Sequence, residues 1–300
     1  VGSYASMVRF HEEKLRNLRL PSAPSSLLLA LDIDGTILEE GRPLSERLVQ
    51  NVQYLRRVGV HICITTGRSV PATVPIVQQL GLSNTWIVSA NGSLIGRYST
   101  DTGYVLTNQY TFPVHEVLAR VLDAMPDALI GVEDSPAGFR VLKPFPPGEL
   151  RETIAVQSLE ELGAKPVSRV VVRNPLMNNE EFATTVAKIN LSGVQSAIGW
   201  RAWLDINPPG TSKAKGLQIV CKNLGVDSRH TLAIGDGAND IPLLQFVAYG
   251  VAMGNANPAV KHAADSTTLA VEDDGAAAVL EAICAILPGE TVFESPSIAD

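Results

Sequence analysis

Four short stretches of this sequence concentrate groups that could do chemistry. Asp32-Ile33-Asp34-Gly35-Thr36 follows the apolar run Leu27 to Leu31, and Thr65-Thr66-Gly67-Arg68 follows a second apolar run. Further on come "PPGTSKAKG", which carries Lys213 and Lys215, and Gly235-Asp236-Gly237-Ala238-Asn239-Asp240. In extended backbone, Asp32 and Asp34 point to the same side, roughly 6.5–7 Å apart. An ionised carboxylate beside apolar surroundings is costly unless paired or metal-bound. Asp236 would add a third, and two such charges about 4 Å apart repel by roughly 4 kcal/mol at an effective dielectric near 20. A hard divalent cation relieves this, and a few carboxylates supplemented by water favour Mg²⁺. Hydroxyl, glycine N–H and lysine donors alongside make a cradle for a phosphoryl group. Taken singly, each stretch has an ordinary alternative, such as a turn or the cap of the next helix. Their joint occurrence at the ends of successive apolar runs argues for chemistry.

The elements that would carry these residues follow from periodicity. "LLLALDI", "VHICITTG" and "TWIVSANG" are predicted strands, separated by helices over "LSERLVQNVQYLRRVG" and "SVPATVPIVQQLGL". From Pro208 the same rhythm returns: a helix from Lys213 to Leu224, a strand at "HTLAIGDG", a helix at "NDIPLLQFV" and a strand at "YGVAMG". Alternating strands and helices predict a parallel α/β sheet, with ligands bound beyond the carboxyl ends of its strands. Between the two pieces the grammar changes to hairpins mixed with helices. Two strands meet at a turn over Thr100 to Gly103, a helical stretch covers about 149–162, and a single strand runs from Val194 to Ile206. The expected organisation is an N-terminal extension (1–25), a discontinuous core domain (26–93 and 207–300) and an inserted α+β domain (94–206). Within the extension, Met7 to Leu20 suits a short amphipathic helix and "PSAPSS" a linker.

Composition excludes several classes. A 300-residue chain with 45% hydrophobic and 18% charged residues can bury two ordinary cores. A net charge of −7 and few aromatics argue against a nucleic-acid partner. No apolar run approaches the roughly 20 residues of a membrane span, and Asp32 interrupts the run that most resembles a signal segment. Cys63, Cys221 and Cys284 are isolated and apolar in setting, as expected for a reducing, cytoplasmic protein. A monomer or small homo-oligomer is expected.

The order D-x-D-G-T, T-G-R, lysine and G-D-G-x-N-D resembles the haloacid dehalogenase-like (HAD) phosphohydrolase superfamily. The insertion after the third strand, together with "VAMGNANPAVKHAAD" and "EDDGAAAVL", is similar to its Cof-type subfamily with a large α/β cap. The resemblance implies a Rossmann-like parallel-sheet core with an inserted α+β cap. It also implies Asp32 as nucleophile forming an aspartyl-phosphate, and Asp34 as general acid and base. Ile33, Thr66, Gly67, Lys213 and Asn239 would hold the phosphoryl group. Mg²⁺ would be held by Asp32, the Asp34 carbonyl and Asp236, with Asp240 behind them or ligating through water. Lys213 is preferred to Lys215 because it sits just before the helix and precedes a small residue. Arg68 would either orient substrate or pair with a surface or interdomain carboxylate.

The substrate end is less determined. Trp200 and Trp203 could stack on a sugar or pack a core, and Glu133 and Asp134, expected in a loop, could bind hydroxyls or be solvated. The five histidines form no cluster. The function implied is an Mg²⁺-dependent phosphatase of small phosphorylated metabolites, sugar phosphates first. A phosphosugar mutase would keep the same core motifs. A non-catalytic phosphometabolite-binding protein would be expected to have lost Asp34 or Asp236.

Overall fold

The computed structural model describes residues 3–150, 152–199 and 202–287. Its first strands are β1 (Leu28–Leu31), β2 (His61–Thr65), β3 (Asn84–Ser89), β4 (Leu94–Ser99) and β5 (Gly103–Gln109). A middle group follows: β6 (Leu129–Ser135), β7 (Gly138–Val141), β8 (Thr153–Val156), β9 (Arg169–Arg173), β10 (Gln195–Gly199) and β11 (Trp203–Asn207). The last are β12 (Thr231–Gly235), β13 (Tyr249–Ala252) and β14 (Ser266–Thr267). The helices are α1 (Tyr4–Asn17), α2 (Glu46–Arg57), α3 (Val70–Gln79), α4 (His115–Ala124), α5 (Leu159–Gly163) and α6 (Asn179–Val186). They continue with α7 (Lys213–Leu224), α8 (Ile241–Phe246), α9 (Pro258–Ala263) and α10 (Gly275–Ile286). None is long and apolar enough to cross a membrane.

Strand β1 is buried on both sides, and its sequence shows why. Leu27, Leu29 and Leu31 pack with α2 and α10 residues, whereas Leu28 and Ala30 pack toward Leu217 and Val220 of α7. Such a doubly covered strand belongs at the centre of a parallel sheet. The eight-stranded sheet runs β14-β13-β12-β1-β2-β3-β4-β5, parallel as far as β3. Thus β1 and β12 are neighbours although they come from opposite ends of the chain, and the Asp32 and Asp236 loops leave the same edge.

A six-stranded sheet follows the order β10-β11-β9-β6-β7-β8, antiparallel except for β7 with β8. Strand alternation divides its faces. Ile130, Val132, Val170, Val172, Leu204 and Ile206 join residues of α4 and α6 in one core. The opposite parity, including Glu133, Arg169 and Asp205, occupies the face against which none of the described helices packs.

Several sequence expectations change. The hairpin β4–β5 extends the eight-stranded sheet antiparallel to β3, rather than joining the inserted sheet. The second sheet therefore begins only at β6, well past residue 94. The stretch 149–162 is strand β8 followed by the short α5, not one helix: β-branched Thr153, Ile154 and Val156 suit an edge strand beside β7. The strand expected over 194–206 is the hairpin β10–β11, with Ala202 at φ 53° where the chain re-enters β11. Glu133 and Asp134 lie in strand β6, not in a loop.

Helix α1 packs along α10, so residues 4–17, set apart in the sequence as an extension, form part of the core. His11 is wholly buried there, and its Nδ1 lies 2.9 Å from the Tyr249 hydroxyl. Ser266 donates to that hydroxyl, so the tyrosine proton goes to His11 Nδ1 and leaves the imidazole proton on Nε2, which has no partner among the described residues. Burial lowers the His11 pKa from 6.5 to about 4. Below pH 6.5 the unfolded chain takes a proton that the folded chain refuses, so the stability from neutral His11 is complete above 6.5. It is lost as pH falls toward 4, by on the order of 3 kcal/mol over the whole window. Thermal unfolding should show a steeper decline between pH 6.5 and 4.5 in the native chain than in His11→Phe. Parallel pH dependences would contradict the assignment.

Candidate active site

After Leu31 the chain leaves the sheet in a tight turn. The N–H groups of Thr36, Ile37 and Leu38 all donate to Ile33 O, and the Ile33 side chain is buried, so Ile33 has only backbone to offer the cleft. Gly35 adopts φ +74°, and a Cβ there would stand 2.2 Å from Asp236 Oδ2. Glycine is therefore what lets the two acidic loops touch. Thr36 Oγ1 bridges them, 3.1 Å from Asp32 Oδ2 and 3.3 Å from Asp236 Oδ1. Asn255, after β13, donates to Gly35 O at 2.8 Å and reaches Asp236 Oδ2 at 3.3 Å.

Ser212 caps α7 by accepting the Lys215 N–H, which makes Lys213 the first residue of the helix. The Lys213 side chain is 1% exposed, with Nζ 2.7 Å from Asp32 Oδ1 and 2.6 Å from Asp240 Oδ1. Lys215 is exposed. The other Asp240 oxygen accepts the Asp236 and Gly237 N–H groups at 3.0 and 2.9 Å, which fixes the "GDG" loop. Carboxylate oxygens of Asp32, Asp236 and Asp240 all lie within 4.8 Å of one another.

This crowding controls protonation. Burial, and then the Asp240 charge, hold Asp32 well above the usual carboxylate range despite Lys213. The same two causes raise Asp236 to about 6. Burial alone would depress Lys213, but Asp240 and Asp32 more than reverse it and keep the ammonium charged. Three carboxylates less one ammonium leave a formal charge of −2 in a low-dielectric setting. An all-oxygen donor set carrying that charge fits a hard divalent cation of the Mg²⁺ kind.

Next to this cluster, Arg68 grips Asp34 with two hydrogen bonds, Nε to Oδ2 at 2.8 Å and Nη2 to Oδ1 at 2.6 Å. Unlike Asp32, Asp34 is largely exposed (62% for the side chain) and stands outside the carboxylate triplet. Arg68 N–H donates to Thr66 Oγ1 at 3.0 Å. Asn239 Nδ2 donates to Asn91 Oδ1 at 3.0 Å, and the same Asn91 oxygen lies against Gly67. The structure therefore gathers Asp32, Asp34, Thr66, Gly67, Lys213, Asp236, Asn239 and Asp240 at one sheet edge.

Thr36, Asn255 and Asn91 also belong here; from sequence Thr36 has only a place in D-x-D-G-T without a role, and the two asparagines have none. Ala90 and Asn91 both adopt left-handed backbone, φ 49° and 54°, a cost tolerated where surroundings over-determine it. Here Asn207, the last residue of β11, donates to Ala90 O at 2.8 Å and Ser93 Oγ at 2.9 Å. The available signal was the "NG" pair at a strand end, which turn chemistry also explains. Among the substrate-end candidates, Glu133 is fully buried and paired with Arg169, and Asp134 pairs with Arg140 and Lys165. Trp203 packs on Phe145 and donates Nε1 to Asp205 at 3.2 Å. Trp200 lies outside the described residues.

Comparison with known proteins places this geometry. The profile of the haloacid dehalogenase-like hydrolase family matches residues 29–125 and 151–280. The chain belongs to that family. It is a phosphoric monoester hydrolase of the HAD type, with the Cof-type arrangement. Among its relatives is the 5-amino-6-(5-phospho-D-ribitylamino)uracil phosphatase YitU of Bacillus subtilis, 32% identical over 274 residues. That alignment covers 85% of this chain and 96% of the relative. The HAD phosphatase BT1666 of Bacteroides thetaiotaomicron superposes with a TM-score of 0.68 at 25% identity, over 85% of this chain and 94% of its own. The fold is shared with the subclass IIB sugar phosphatase BT4131, with a TM-score of 0.71 at 22% identity and coverage of 86% and 98%.

Proposed function

We propose that this HAD hydrolase is an Mg²⁺-dependent phosphatase of phosphorylated sugars and polyols that works through an aspartyl-phosphate on Asp32. The observation that carries this reading is the buried Asp32 carboxylate, held by Lys213 and Thr36 in a triplet of excess negative charge. Asp32, Asp236 and the backbone of Asp34 would hold Mg²⁺, with Asp240 occupied in fixing Lys213 and the loop. The cation would supply charge that lets a carboxylate approach a phosphate.

In the first step an Asp32 oxygen bonds to phosphorus and the ester P–O bond breaks. Asp34 gives its proton to the leaving oxygen. In the second step a water attacks phosphorus, its proton goes to Asp34, and Asp32 is released with inorganic phosphate. Thr66, the N–H groups of Ile33 and Gly67, Lys213 and Asn239 hold the non-bridging oxygens. Arg68 occupies both Asp34 oxygens, so delivery of a proton requires Asp34 to exchange that partner for the ester. Residues of the six-stranded sheet and its helices would act as a cap, covering the ester and excluding bulk water.

The relative YitU extends the substrate class to a phosphoribityl compound, which shares the polyol phosphate of sugar esters. A panel of sugar, polyol, nucleotide and pyridoxal phosphates, assayed for inorganic phosphate, tests the reading. Sugar and polyol esters should lead, excess EDTA should abolish turnover, and added Mg²⁺ should restore it. Undiminished turnover in EDTA would overturn the metal assignment, and a nucleotide preference would overturn the substrate class.

A further inference from the structure

The turn that would hold the phosphoryl group is completed by a residue from the other sheet. Three consecutive carbonyls of this turn need donors. Asn91 N–H supplies Thr66 O at 3.1 Å and Ala90 N–H supplies Arg68 O at 2.9 Å, both from the end of β3. The carbonyl between them, Gly67 O, takes its hydrogen bond from Arg169 Nη1 of β9. That carbonyl shares a peptide unit with the Arg68 N–H, which donates to Thr66 Oγ1. Arg169 therefore fixes the peptide plane whose other end fixes the Thr66 hydroxyl. With one Oγ1 lone pair engaged, the Thr66 proton is left to donate to an incoming oxygen.

Arg169 is built to do this from a distance. It is 3% exposed, and the cross-strand partner Glu133 takes Nε and Nη2 on one oxygen at 2.9 and 2.7 Å. The Phe139 ring lies 5.1 Å from its guanidinium carbon. This grip leaves Nη1 pointing off the helix-free face at Gly67 O, with Asp205 Oδ1 3.6 Å away. The planar fork holds a hydrogen bond and a close ion-pair contact to Glu133 and a hydrogen bond to Gly67 at once, a geometry that an ammonium does not reproduce.

We infer that Arg169 is a positioning residue that couples docking of the six-stranded sheet to formation of the Thr66–Arg68 phosphoryl-binding turn. The inference rests on the assignment of Thr66 and Gly67 to the phosphoryl group. When the second sheet moves away, Gly67 O loses its donor and the peptide plane is free to turn. The binding site is then incomplete until the cap has closed, an induced-fit arrangement.

Inorganic phosphate as a competitive inhibitor tests this, because it occupies the phosphoryl site and has no leaving group. In Arg169→Lys and Arg169→Ala, phosphate inhibition should weaken by about tenfold, the scale of one weakened hydrogen bond to the bound oxygen. The kcat/KM for acetyl phosphate and for sugar phosphates should fall by similar factors. Guanidinium ion should restore part of the Arg169→Ala loss, and Glu133→Gln, which only loosens the anchor, should give a smaller loss of the same kind. Circular dichroism establishes that each variant folds, and Arg169→Lys carries the test if Arg169→Ala does not. Unchanged phosphate inhibition with losses confined to sugar esters would overturn the inference, placing Arg169 against the leaving group. Unchanged kinetics throughout would overturn it as well. Thr66→Ala in the same assay separates the two levels: if phosphate inhibition survives it, the phosphoryl-site assignment itself fails.

Discussion

Asp32→Asn is expected to lower kcat by on the order of 10⁴-fold or more while the chain stays folded. The asparagine keeps an oxygen to accept from Lys213, and its amide NH2, standing where Oδ2 was, donates to Thr36 Oγ1, whose own proton turns to Asp236, so both contacts that seat residue 32 survive with one of them reversed. What it loses is the anionic oxygen that would bond to phosphorus. Stability should rise rather than fall in metal-free buffer. Asp32 has its folded pKa raised, so above that pKa its ionised form works against the folded state, and Asn removes the charge. Metal-free urea unfolding of the pair, beside a phosphate-release assay, measures both parts. Substantial residual turnover would remove Asp32 from the nucleophile role. A large loss of stability would show that the observed activity loss was structural.

The second large effect is on stability. Lys213→Met should destabilise the metal-free protein by about 3–5 kcal/mol, because it leaves Asp32 and Asp240 buried and unpaired. Two further measurements distinguish this from a packing defect. Added Mg²⁺ should return much of the lost stability, since any ligand that binds only the folded state stabilises it. The double variant Lys213→Met with Asp240→Asn should be more stable than Lys213→Met alone, because one of the stranded charges is gone. Activity should return in neither case. An unfolding midpoint equal to the native one for Lys213→Met would contradict the buried ion-pair account. Lys215→Met, on the exposed side of the same helical turn, should change little.

How far the sequence could be followed depended on whether local chemistry decided the outcome. The leucines before Asp32 alternate between two cores, which a continuous apolar run states directly. The preference for Lys213 over Lys215 rests on the motif of the family resembled, a lysine at a helix start before a small residue, and the structure buries the first and exposes the second. The hairpin β4–β5 was legible as a hairpin, but its attachment was not. Antiparallel strands joined by a short turn fit an exposed edge of either sheet, and only the free edge of β3 decides. Strand β8 was missed because Glu149 to Leu162 mixes acidic helix formers with a β-branched core, so propensity was divided. Arg169 carries no local signal. Its importance comes from register, opposite Glu133 and facing a carbonyl 102 residues away in sequence.

The placement of β1 beside β12 also bears on how the molecule comes to be made. Leu28 pairs with Thr231, about 200 residues further along the chain, whereas every strand of the six-stranded sheet lies within residues 129–207. Ordered synthesis from the N-terminus therefore completes the inserted sheet while β1 still lacks a neighbour on one side. Closing so long a loop is slow, although in equilibrium terms each doubling of length costs only about 0.6 kcal/mol. Until α7 and β12 arrive, Leu28 and Ala30 have neither Leu217 nor Ala233 to pack against, and Asp32 has neither Lys213 nor Asp236. The nascent chain thus carries an incomplete, sticky strand edge until α7 and β12 have been made, and the candidate active site cannot form before then.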